Sequence, residues 1–506
     1  MKKIFCIVLL CTNLTLSAQY KYDYNWIFGY DVDLSIEGIE GNIISFSTDT
    51  VRFSEFPNAF SIGPANITMS DPIGHLLFYS NGCRFVNKNH QLLVNGDSIN
   101  TGGSDFLYNQ GCDEDGLGYG SGHQTMLALP YGGKYYVLHE DEDIRESPFT
   151  IYVKHLYYSV LDFKEDERGV VVEKNINILP QDSFLLGGQL TAIKHENGKD
   201  WWIIQHDYEN NQYYILRLDS TGIHLSHTQK IGLRNTVYGG TGGAAVFSPD
   251  GTHYAKFSPN DGLYLMNFDR STGMLSDFQS TKMEKEGISG SVAFSPSGRY
   301  LYINDRLYLY QFDMEAPDLE SGKEFIAEWD GFIGNELGQG TTFGRMQLGP
   351  DCRIYMTTGP ALPYMHVIEY PDIKGTDCGL IQHAIKLPTY HGRSIPHYPN
   401  YRLDTGYPTC DSSKVLVLTS AVSTPPTEAA GIRTYPNPVS HLLMIDGIPP
   451  HADIQIYDSR GRQVRHSTDA NVYMEIDLSD LPAGIYILVV TDTASGSVAH
   501  RKIIKQ

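Results

Sequence analysis

Acidic residues that could bind a metal ion or hydrolyse a substrate cluster at two points, Cys112–Gly116 and His139–Asp143. Closely spaced carboxylates are the ligands that Ca²⁺ prefers, and two carboxylates in one cleft can hydrolyse a glycosidic bond. Neither run has the spacing of the D-x-[DN]-x-[DN]-G calcium loop with its distant Glu. We therefore predict that both runs are solvated loops and that the protein needs no cofactor or metal, with calcium as the alternative.

Histidines that could act as general acids or bases are scattered along the chain. His195, His206, His391 and His397 lie beside predicted strands and turns, and catalysis would require them to converge near a substrate. We expect structural roles for all four. The chain has no GxSxG elbow, HExxH helix or Walker loop, and tight strand packing explains the glycines of 239–243. The sequence therefore predicts no catalytic residues.

Charge and aromatic content limit the partners. The chain of 506 residues carries a net charge of −21, which argues against nucleic acid because phosphates bind clusters of Lys and Arg. Trp201 and Trp202 could stack on a sugar ring. Neighbouring side chains of a strand point to opposite faces, so at least one indole is predicted to pack in the core. The residues of a ligand site are not identifiable from the sequence.

Five cysteines follow the first 18 residues: Cys83, Cys112, Cys352, Cys378 and Cys410. In an oxidising compartment, cysteines form disulfides by default. Proximity in sequence favours the pairs Cys83–Cys112 and Cys352–Cys378 and leaves Cys410 unpaired, although five cysteines leave the connectivity open. No C-x-x-C pair suggests a zinc site.

A strand–turn–strand phrase that occurs twice indicates the elements that position these residues. Phe247–Gly251 reads F-S-P-D-G, and Phe294–Gly298 reads F-S-P-S-G. Pro and Gly each fit one position of a tight turn, and the flanking apolar and aromatic residues favour strands. The two phrases are 47 residues apart, which is the length of a propeller blade.

Six such units can be followed by their turn glycines, starting at Ile67, Thr125, Leu190, Ala245, Val292 and Arg345. Such a unit cannot bury its own faces, so it must stack on others. A seventh unit is predicted to join the early strands near Trp26–Ile36 to the late segment Ile395–Arg402, which would close the ring. The predicted fold class is all-β: a β-propeller of seven blades, with six or eight as alternatives, followed by a small C-terminal β-sandwich.

The two ends of the chain differ from this pattern. Residues 1–18 have two lysines, a short apolar run and small residues, as in a signal peptide cleaved between Ala18 and Gln19. That run is too short to span a membrane. Residues 19–410 then form the propeller domain, and the Ser-, Thr- and Pro-rich residues 411–432 form a linker. Residues 433–506 hold five short predicted strands, which favour a β-sandwich.

The last 74 residues resemble the type A C-terminal sorting domain of the Bacteroidetes type IX secretion system. The resemblance rests on Tyr435, Pro436, Asn437 and Pro438, on Ile456–Asp458, on Leu481–Tyr486 with its Gly484 and Tyr486, and on Arg501–Lys505. It implies export by the signal peptide and passage across the outer membrane through the secretion machinery. Cleavage of this domain, followed by release or attachment to surface lipopolysaccharide, is the expected outcome.

The preceding region resembles WD-like and Tol-type β-propellers through Phe247–Gly251. It is also similar to Bacteroidetes surface propellers through Trp26–Gly29 and Pro396–Leu403. These similarities imply a fold and no activity. We therefore expect a secreted or surface-attached propeller that binds a protein or a glycan without catalysis. The alternative is a secreted enzyme that degrades polysaccharide or peptide on the same scaffold.

Overall fold

The computed structural model describes residues 20–30, 40–47, 50–113, 116–120, 122–147, 149–180, 183–235, 243–283, 289–411, 417–420, 433–458, 462–468, 473–492 and 498–506. The chain divides into two compact units, Met1–Ser420 and Ala421–Gln506. The predicted signal peptide, the predicted strand at 32–36 and most of the predicted linker lie outside the described residues.

The turn chemistry of the repeated phrase produces hairpins. Asp250 Oδ1 accepts hydrogen bonds from the Ser248 hydroxyl (2.6 Å) and from Thr252 N (3.0 Å). Gly251 and Gly298 occupy the same turn position in the two copies, with φ values of +74° and +77°. Glycine is favoured there because a side chain is strained at positive φ. Each turn joins the first two strands of a sheet.

The described residues of the first unit form seven sheets, numbered here as blades in chain order. Blade 1 contains β1 (Asn25–Gly29), β2 (Gly41–Phe46), β3 (Thr50–Phe56) and β27 (Val417–Ser420), and blade 2 contains β4 (Ile67–Ser70), β5 (Leu76–Ser80) and β6 (Phe85–Asn87). Blade 3 contains β7 (Met126–Tyr131), β8 (Lys134–Glu146), β9 (Phe149–Asp162) and β10 (Val170–Asn177), and blade 4 contains β11 (Thr191–Lys194), β12 (Trp201–His206), β13 (Gln212–Asp219) and β14 (Gly222–Lys230).

The last three blades have the same four-stranded order. Blade 5 contains β15 (Ala244–Phe247), β16 (His253–Ser258), β17 (Gly262–Asp269) and β18 (Met274–Thr281), and blade 6 contains β19 (Ser291–Phe294), β20 (Tyr300–Asn304), β21 (Tyr308–Asp313) and β22 (Lys323–Glu328). Blade 7 contains β23 (Phe343–Leu348), β24 (Ile354–Thr358), β25 (Tyr364–Ile368) and β26 (Leu380–Lys386). The helices are short: α1 (Asp105–Cys112), α2 (Leu319–Gly322) and a 3₁₀ turn at Gly375–Cys378.

The blades follow one another around a closed ring. The first strand of each blade is innermost, and neighbouring inner strands pack together. Trp201 Nε1 donates to Pro130 O (3.3 Å) between blades 4 and 3, and the rings of Trp26 and Tyr355 are 5.6 Å apart where blade 7 meets blade 1. A ring of sheets leaves few exposed strand edges. The predicted propeller is confirmed, and the described residues form seven blades.

The strands that form blade 1, the blade that closes the ring, differ from those predicted. Ile395–Arg402 forms no strand, because Pro396 and Pro399 lack the N–H groups that a sheet needs. The fourth strand of blade 1 is instead β27, which pairs in parallel with β3. Strand β27 lies within the segment that was predicted as a linker.

The segment His391–Arg402 runs through the centre of the ring, and we call it the channel segment. Asn66 Nδ2 donates to Ser394 Oγ (3.0 Å) beside blade 2. Further along, Tyr401 OH donates to Ala128 O (2.8 Å) in blade 3, and Asn400 Nδ2 donates to Pro249 O (2.8 Å) in the β15–β16 turn of blade 5. The propeller channel is therefore filled by the protein's own chain.

Two disulfides link distant parts of the propeller. Cys83 is bonded to Cys112, the pair that sequence proximity predicted. The predicted Cys352–Cys378 pair is wrong, because Cys352 is bonded to Cys410 and Cys378 is a buried free thiol. The chain returns from the channel segment to the β23–β24 turn, so Cys410 is close in space despite 58 residues of separation.

The described residues of the second unit form a small sandwich of two sheets. One sheet contains β28 (Arg433–Tyr435), β29 (Leu442–Asp446) and β32 (Tyr473–Asp477), and the other contains β30 (Ala452–Asp458), β31 (Gln463–Ser467), β33 (Gly484–Asp492) and β34 (Val498–Lys505). Alternating apolar side chains from both sheets form its core, among them Leu443, Ile454, Leu488 and Ile503. The predicted β-sandwich is confirmed.

Candidate functional site

The acidic run His139–Asp143 is not a solvated loop, so that prediction is wrong. It lies in β8, and the first four of its residues are buried. Partners from other parts of the propeller explain the burial: Glu140 accepts hydrogen bonds from Gly188 N (2.8 Å) and Gln205 Nε2 (2.9 Å). Burial raises the pKa of Glu140 to about 8, against the effect of these hydrogen bonds. The run is part of the core of blade 3.

The next residue, Asp141, forms a pair with a histidine. Its Oδ2 is 2.8 Å from His155 Nδ1, and its Oδ1 accepts a hydrogen bond from Tyr119 OH (3.0 Å). The Asp141 side chain is fully buried, whereas 13% of the His155 side chain is exposed. A buried carboxylate fixes the orientation of an imidazole ring in this way.

Among the described residues, no group of three or more His, Cys, Asp or Glu side chains is placed to hold a metal ion. Part of the other acidic run, Cys112–Gly116, lies outside those residues. The expectation that the protein needs no metal, with calcium as its alternative, stays a prediction.

The four histidines singled out from the sequence do not converge on one site. His195 stacks on Trp202 with ring centres 5.2 Å apart, and His206 Nε2 in blade 4 lies 3.3 Å from Lys256 Nζ in blade 5. His391 binds Thr358, and His397 lies 2.8 Å from the side-chain amide of Gln124. Burial lowers the pKa of both His391 and His397 to about 3, so both are neutral.

The two tryptophans do not form the sugar-binding site that they could suggest. Trp201 and Trp202 are 0% and 2% exposed, so neither indole can stack on a sugar. The glycines of 239–242 lie outside the described residues.

A polar cavity opens where the inner strands begin, on the side of the ring that we call the start face. It has a volume of about 160 Å³ and is lined by backbone, hydroxyl groups and two guanidinium groups. The lining residues are Pro64, Ser289, Gly290, Gly344, Arg345, Thr357, Thr358, Gly359 and Arg393. They come from blades 6 and 7, from the segment before blade 2 and from the channel segment.

Arg345 reaches this cavity because of an irregularity in β23. The pairing of β23 with β24 shifts by one residue between Phe343 and Met346, and such a bulge changes the direction of a side chain. Arg345 Nη1 donates to the carbonyls of Gly243 and Gly290, each at 2.9 Å. The guanidinium therefore bridges the first strands of three blades.

Arg393 is positioned by the start of the channel segment. Its backbone is left-handed, with φ +57°, and its N–H donates to His391 Nδ1 (2.9 Å). His391 is in turn fixed by the Thr358 hydroxyl at 2.8 Å. The Arg393 side chain is exposed, and its guanidinium makes no hydrogen bond or ion pair with a described residue. Its backbone is therefore held in place while its charge faces solvent.

The two guanidinium groups influence each other. Burial, and then the positive charge of Arg393, lower the pKa of Arg345 to about 10. Arg345 therefore remains charged at neutral pH, close to a second positive charge. Two such groups beside hydroxyl-bearing Ser289 and Thr358 form a site that favours an anionic oxygen.

A second cavity lies at the opposite, end face of the ring, where the inner strands stop. Its volume is about 80 Å³, and its walls are mainly apolar, with Val246, Phe294 and Met346 among them. Asp23 contributes a carboxylate to the lining, and this carboxylate accepts a hydrogen bond from Arg402. This cavity has about half the volume of the start-face cavity.

Neither arginine of the start face was predicted from the sequence. They are separated by 48 residues, and neither belongs to a recognised motif. The only local signals are Gly344, which precedes Arg345 at the bulge, and Gly392, which precedes Arg393 with φ +63°. Glycine marks bulges and left-handed backbone in many contexts, so these signals do not identify a site.

The sorting residues predicted from the sequence lie in the second unit. Asn437 Oδ1 accepts a hydrogen bond from Ile504 N (2.8 Å), which attaches the Tyr435–Pro438 segment to the last strand. Gly484 begins β33. Tyr486 is buried and donates its hydroxyl hydrogen bond to Pro482 O (2.8 Å). The motif thus stabilises the edge of the sandwich.

Comparison with known proteins identifies this second unit. Residues 433–506 match the Por_Secre_tail family, the secretion system C-terminal sorting domain. No curated protein matches the chain. No helix in the described part of the chain is both long enough and apolar enough to cross a membrane.

Solved structures are similar to the chain at low identity. A candidate 6-phosphogluconolactonase from Bacteroides fragilis is 11% identical over 74% of this chain and 98% of that chain, with a TM-score of 0.40. PorZ, a surface component of the type IX secretion system of Porphyromonas gingivalis, is 12% identical over 92% of this chain and 68% of that chain, with a TM-score of 0.31. Similarities at this level carry no information about activity.

The sorting domain indicates the route by which the protein is secreted. Chains with this domain are secreted by the type IX system and attached at the cell surface. Residues 433–506 belong to the secretion system C-terminal sorting domain family, and the protein is a type IX secretion cargo built on a β-propeller.

Proposed function

We propose that the propeller is a non-enzymatic binding module whose ligand presents an anionic group to the start-face cavity. The observation that carries this proposal is the Arg393 guanidinium, which is exposed at the cavity and makes no hydrogen bond or ion pair with a described residue. The guanidinium of Arg345 lines the same cavity. Arginine binds carboxylate, sulfate and phosphate groups through paired hydrogen bonds.

The position of the start-face cavity supports a role in binding at the cell surface. The cavity is polar and opens at one face of the ring, while the channel behind it is filled by the channel segment. The chain as a whole carries a charge of −21, so a cavity with two positive groups differs in sign from the average surface. Such a difference orients an approaching anion toward the cavity.

Calorimetric titration of the purified protein with inorganic sulfate and with D-glucuronate tests the proposal. We expect Arg393→Ala to weaken binding at least tenfold, because it removes a charge-assisted hydrogen bond. Arg168→Ala removes an exposed arginine from a loop between β9 and β10 and should leave binding unchanged. Equal affinity of Arg393→Ala and the unmodified protein, or no binding of either anion, would contradict the proposal.

A secreted polysaccharide- or peptide-degrading enzyme is the second candidate. One arrangement favours it: His155 is oriented by the buried Asp141, and its Nε2 makes no hydrogen bond with a described residue. A histidine held in this way can serve as a general base. Turnover of acidic polysaccharides or peptides that disappears in His155→Ala and persists in Arg393→Ala would favour the enzyme over the binding module.

A further inference from the structure

Two hydroxyl groups of the start-face cavity are available to a ligand. Thr357 Oγ1 accepts a hydrogen bond from Arg345 N (3.0 Å), but its own hydrogen has no acceptor among the described residues, although Thr357 is only 1% exposed. The hydroxyl of Ser289 makes no hydrogen bond with a residue that the structure describes. Both residues line the cavity. Buried hydroxyl groups are almost always paired in folded proteins, so the Thr357 hydroxyl indicates a missing acceptor.

The backbone around Arg345 places both hydroxyl groups at the cavity. A Cβ atom added to Gly344 would be 2.5 Å from Thr357 Oγ1, and Gly344 itself lines the cavity. The bulge that directs Arg345 to the cavity therefore brings the Thr357 hydroxyl to the same wall. Ser289 immediately precedes Gly290, whose carbonyl accepts the hydrogen bond of Arg345 Nη1.

Other polar groups of the lining already have partners. Gly290 O accepts from Arg345 Nη1 (2.9 Å), and Gly344 O accepts from Asn304 Nδ2 (2.8 Å). The Thr358 hydroxyl donates to the carbonyl two residues further along the chain (2.8 Å). A hydroxyl group on the ligand would thus find these acceptors occupied.

Three unused groups of the lining can each donate a hydrogen bond. They are the Arg393 guanidinium and the hydroxyl groups of Ser289 and Thr357. Each belongs to a different part of the chain: the channel segment, the residues before β19 in blade 6, and β24 in blade 7. A ligand group that binds all three must therefore present oxygens in three directions.

The shape of the acid group separates the candidate anions. A carboxylate has its oxygens in one plane, whereas a sulfate or phosphate ester presents three acceptor oxygens around a central atom. The ester can therefore accept one hydrogen bond from each of the three parts of the chain, and a carboxylate leaves at least one hydroxyl group unpaired. The positive charges of Arg345 and Arg393 attract either kind of anion, so the hydroxyl groups determine the preference.

The cavity has room for such an acid group and for little else. Its volume of about 160 Å³ equals roughly five water molecules in the liquid. That space holds a tetrahedral acid group, and the carbon skeleton that carries it must remain outside. The channel segment fills the channel behind the cavity, so the ligand enters with its acid end only.

We infer that the start-face cavity binds a sulfate or phosphate ester, whose terminal oxygens accept hydrogen bonds from the Arg393 guanidinium and from the hydroxyl groups of Ser289 and Thr357. This inference rests on the proposed function, because it names the class of anionic group that the same cavity takes.

Calorimetric titration of the purified protein with matched sugars tests the inference. D-glucose 6-sulfate, D-glucose 6-phosphate and D-glucuronate carry a sulfate, a phosphate and a carboxylate at the same carbon, and D-glucose is the neutral control. We expect the tighter-binding ester to exceed glucuronate in affinity by a factor of about ten, which corresponds to one additional hydrogen bond to a charged group. Glucose should not bind. The ester that binds more tightly distinguishes a sulfated ligand from a phosphorylated one.

Two variants remove the hydroxyl donors separately. Thr357→Val and Ser289→Ala should each weaken binding of the preferred ester about tenfold and change glucuronate binding much less. In the double variant, the preference for the ester over glucuronate should be lost. Thr357→Ser keeps the hydroxyl group and is the matched control, so it should retain the preference.

The outcomes separate this inference from the proposed function. Loss of the ester preference in the double variant, with its retention in Thr357→Ser, would support the inference. Glucuronate binding as tight as that of both esters, or an ester preference that persists in the double variant, would overturn the inference and leave an anion site. Failure of all three acids to bind would reject the proposed function itself.

Discussion

Arg402 and Asp23 form a buried ion pair that joins the last residue of the channel segment to the chain just before β1. Arg402 Nη1 and Nη2 donate to Asp23 Oδ1 and Oδ2 at 2.8 and 2.7 Å, and the two residues are 8% and 6% exposed. Burial acts to lower the pKa of Arg402, but Asp23 outweighs it, and the pKa is raised. The pair fixes the channel segment where it leaves the ring.

Removal of one partner of this pair should destabilise the propeller. We expect Arg402→Met to lower the free energy of unfolding by about 3–5 kcal/mol, because it leaves a buried, unpaired carboxylate. Urea denaturation measures the effect, and the double variant Asp23→Leu/Arg402→Met should recover most of it. Arg299→Met is the matched control: Arg299 makes a similar two-point pair with Asp313 near the surface, so its loss should matter much less. Equal losses for the two arginines would contradict a special role of the buried pair.

The disulfide connectivity gives a second prediction. Peptide mapping without reduction should recover Cys83–Cys112 and Cys352–Cys410, and Cys378 should react with an alkylating agent only after unfolding. Replacement of both Cys352 and Cys410 by Ser should cost roughly 4 kcal/mol of stability, because the bond closes a loop of about 58 residues. Cys378→Ser should retain both disulfides. Recovery of a peptide with a Cys352–Cys378 bond would contradict the path of the chain from the channel segment back to the β23–β24 turn.

The fold was predictable where local chemistry determines it. The residues of the F-S-P-x-G turns are sufficient to predict a hairpin, because Gly251 adopts positive φ and the Asp250 side chain accepts a hydrogen bond within the turn. Repetition of this local unit then requires a ring. The path of 391–402 is different: Pro396 and Pro399 indicate only that a central strand is unfavourable. The partners that hold this segment in the channel lie in other blades, so the sequence could not reveal them.

The candidate site and the buried acidic run were unpredictable for the same reason. Glu140 is buried because Gly188 and Gln205, more than 40 residues away, donate hydrogen bonds to it. Without those partners, a run of carboxylates is expected to be solvated. Arg345 and Arg393 become neighbours only when blade 7 and the channel segment are in place.

The buried Glu140 should make stability depend on pH. Its pKa is raised from 4.5 to about 8 by burial, so between these values the folded protein holds a proton that the unfolded chain has lost. The free energy of unfolding therefore falls as pH rises through this window. Glu140→Gln should reduce the slope between pH 5 and 8 by up to about 1.4 kcal/mol per pH unit, measured by urea denaturation at several pH values.

Asp143, in the same strand, provides a control of opposite sign. Burial acts to raise the pKa of Asp143, but the hydrogen bonds from Lys154 Nζ (2.8 Å) and Ile144 N, together with the charge of Lys154, outweigh burial and lower the pKa. Its contribution to stability is therefore lost as pH falls toward the acid range. Asp143→Asn should change the acid side of the profile and leave the slope between pH 5 and 8 intact. An unchanged slope in Glu140→Gln would show that Glu140 is ionised in the folded protein.

The last strand of the sorting domain should be required for secretion. Residues of β34 complete both the sheet and the core: Val439 N donates to Ile504 O (2.7 Å), and Ile503 is fully buried. Deletion of residues 498–506 would expose the edge of β33 and open the core, so we expect the protein to remain inside the cell envelope. Immunoblots of cell and medium fractions measure this.

Ile503→Asp should have the same effect because it places a charge in the core, whereas Ile504→Thr, on the exposed side of the same strand, should be secreted normally. Normal secretion of Ile503→Asp would mean that the machinery reads a short sequence, whereas its retention beside a secreted Ile504→Thr would mean that it requires the folded sandwich.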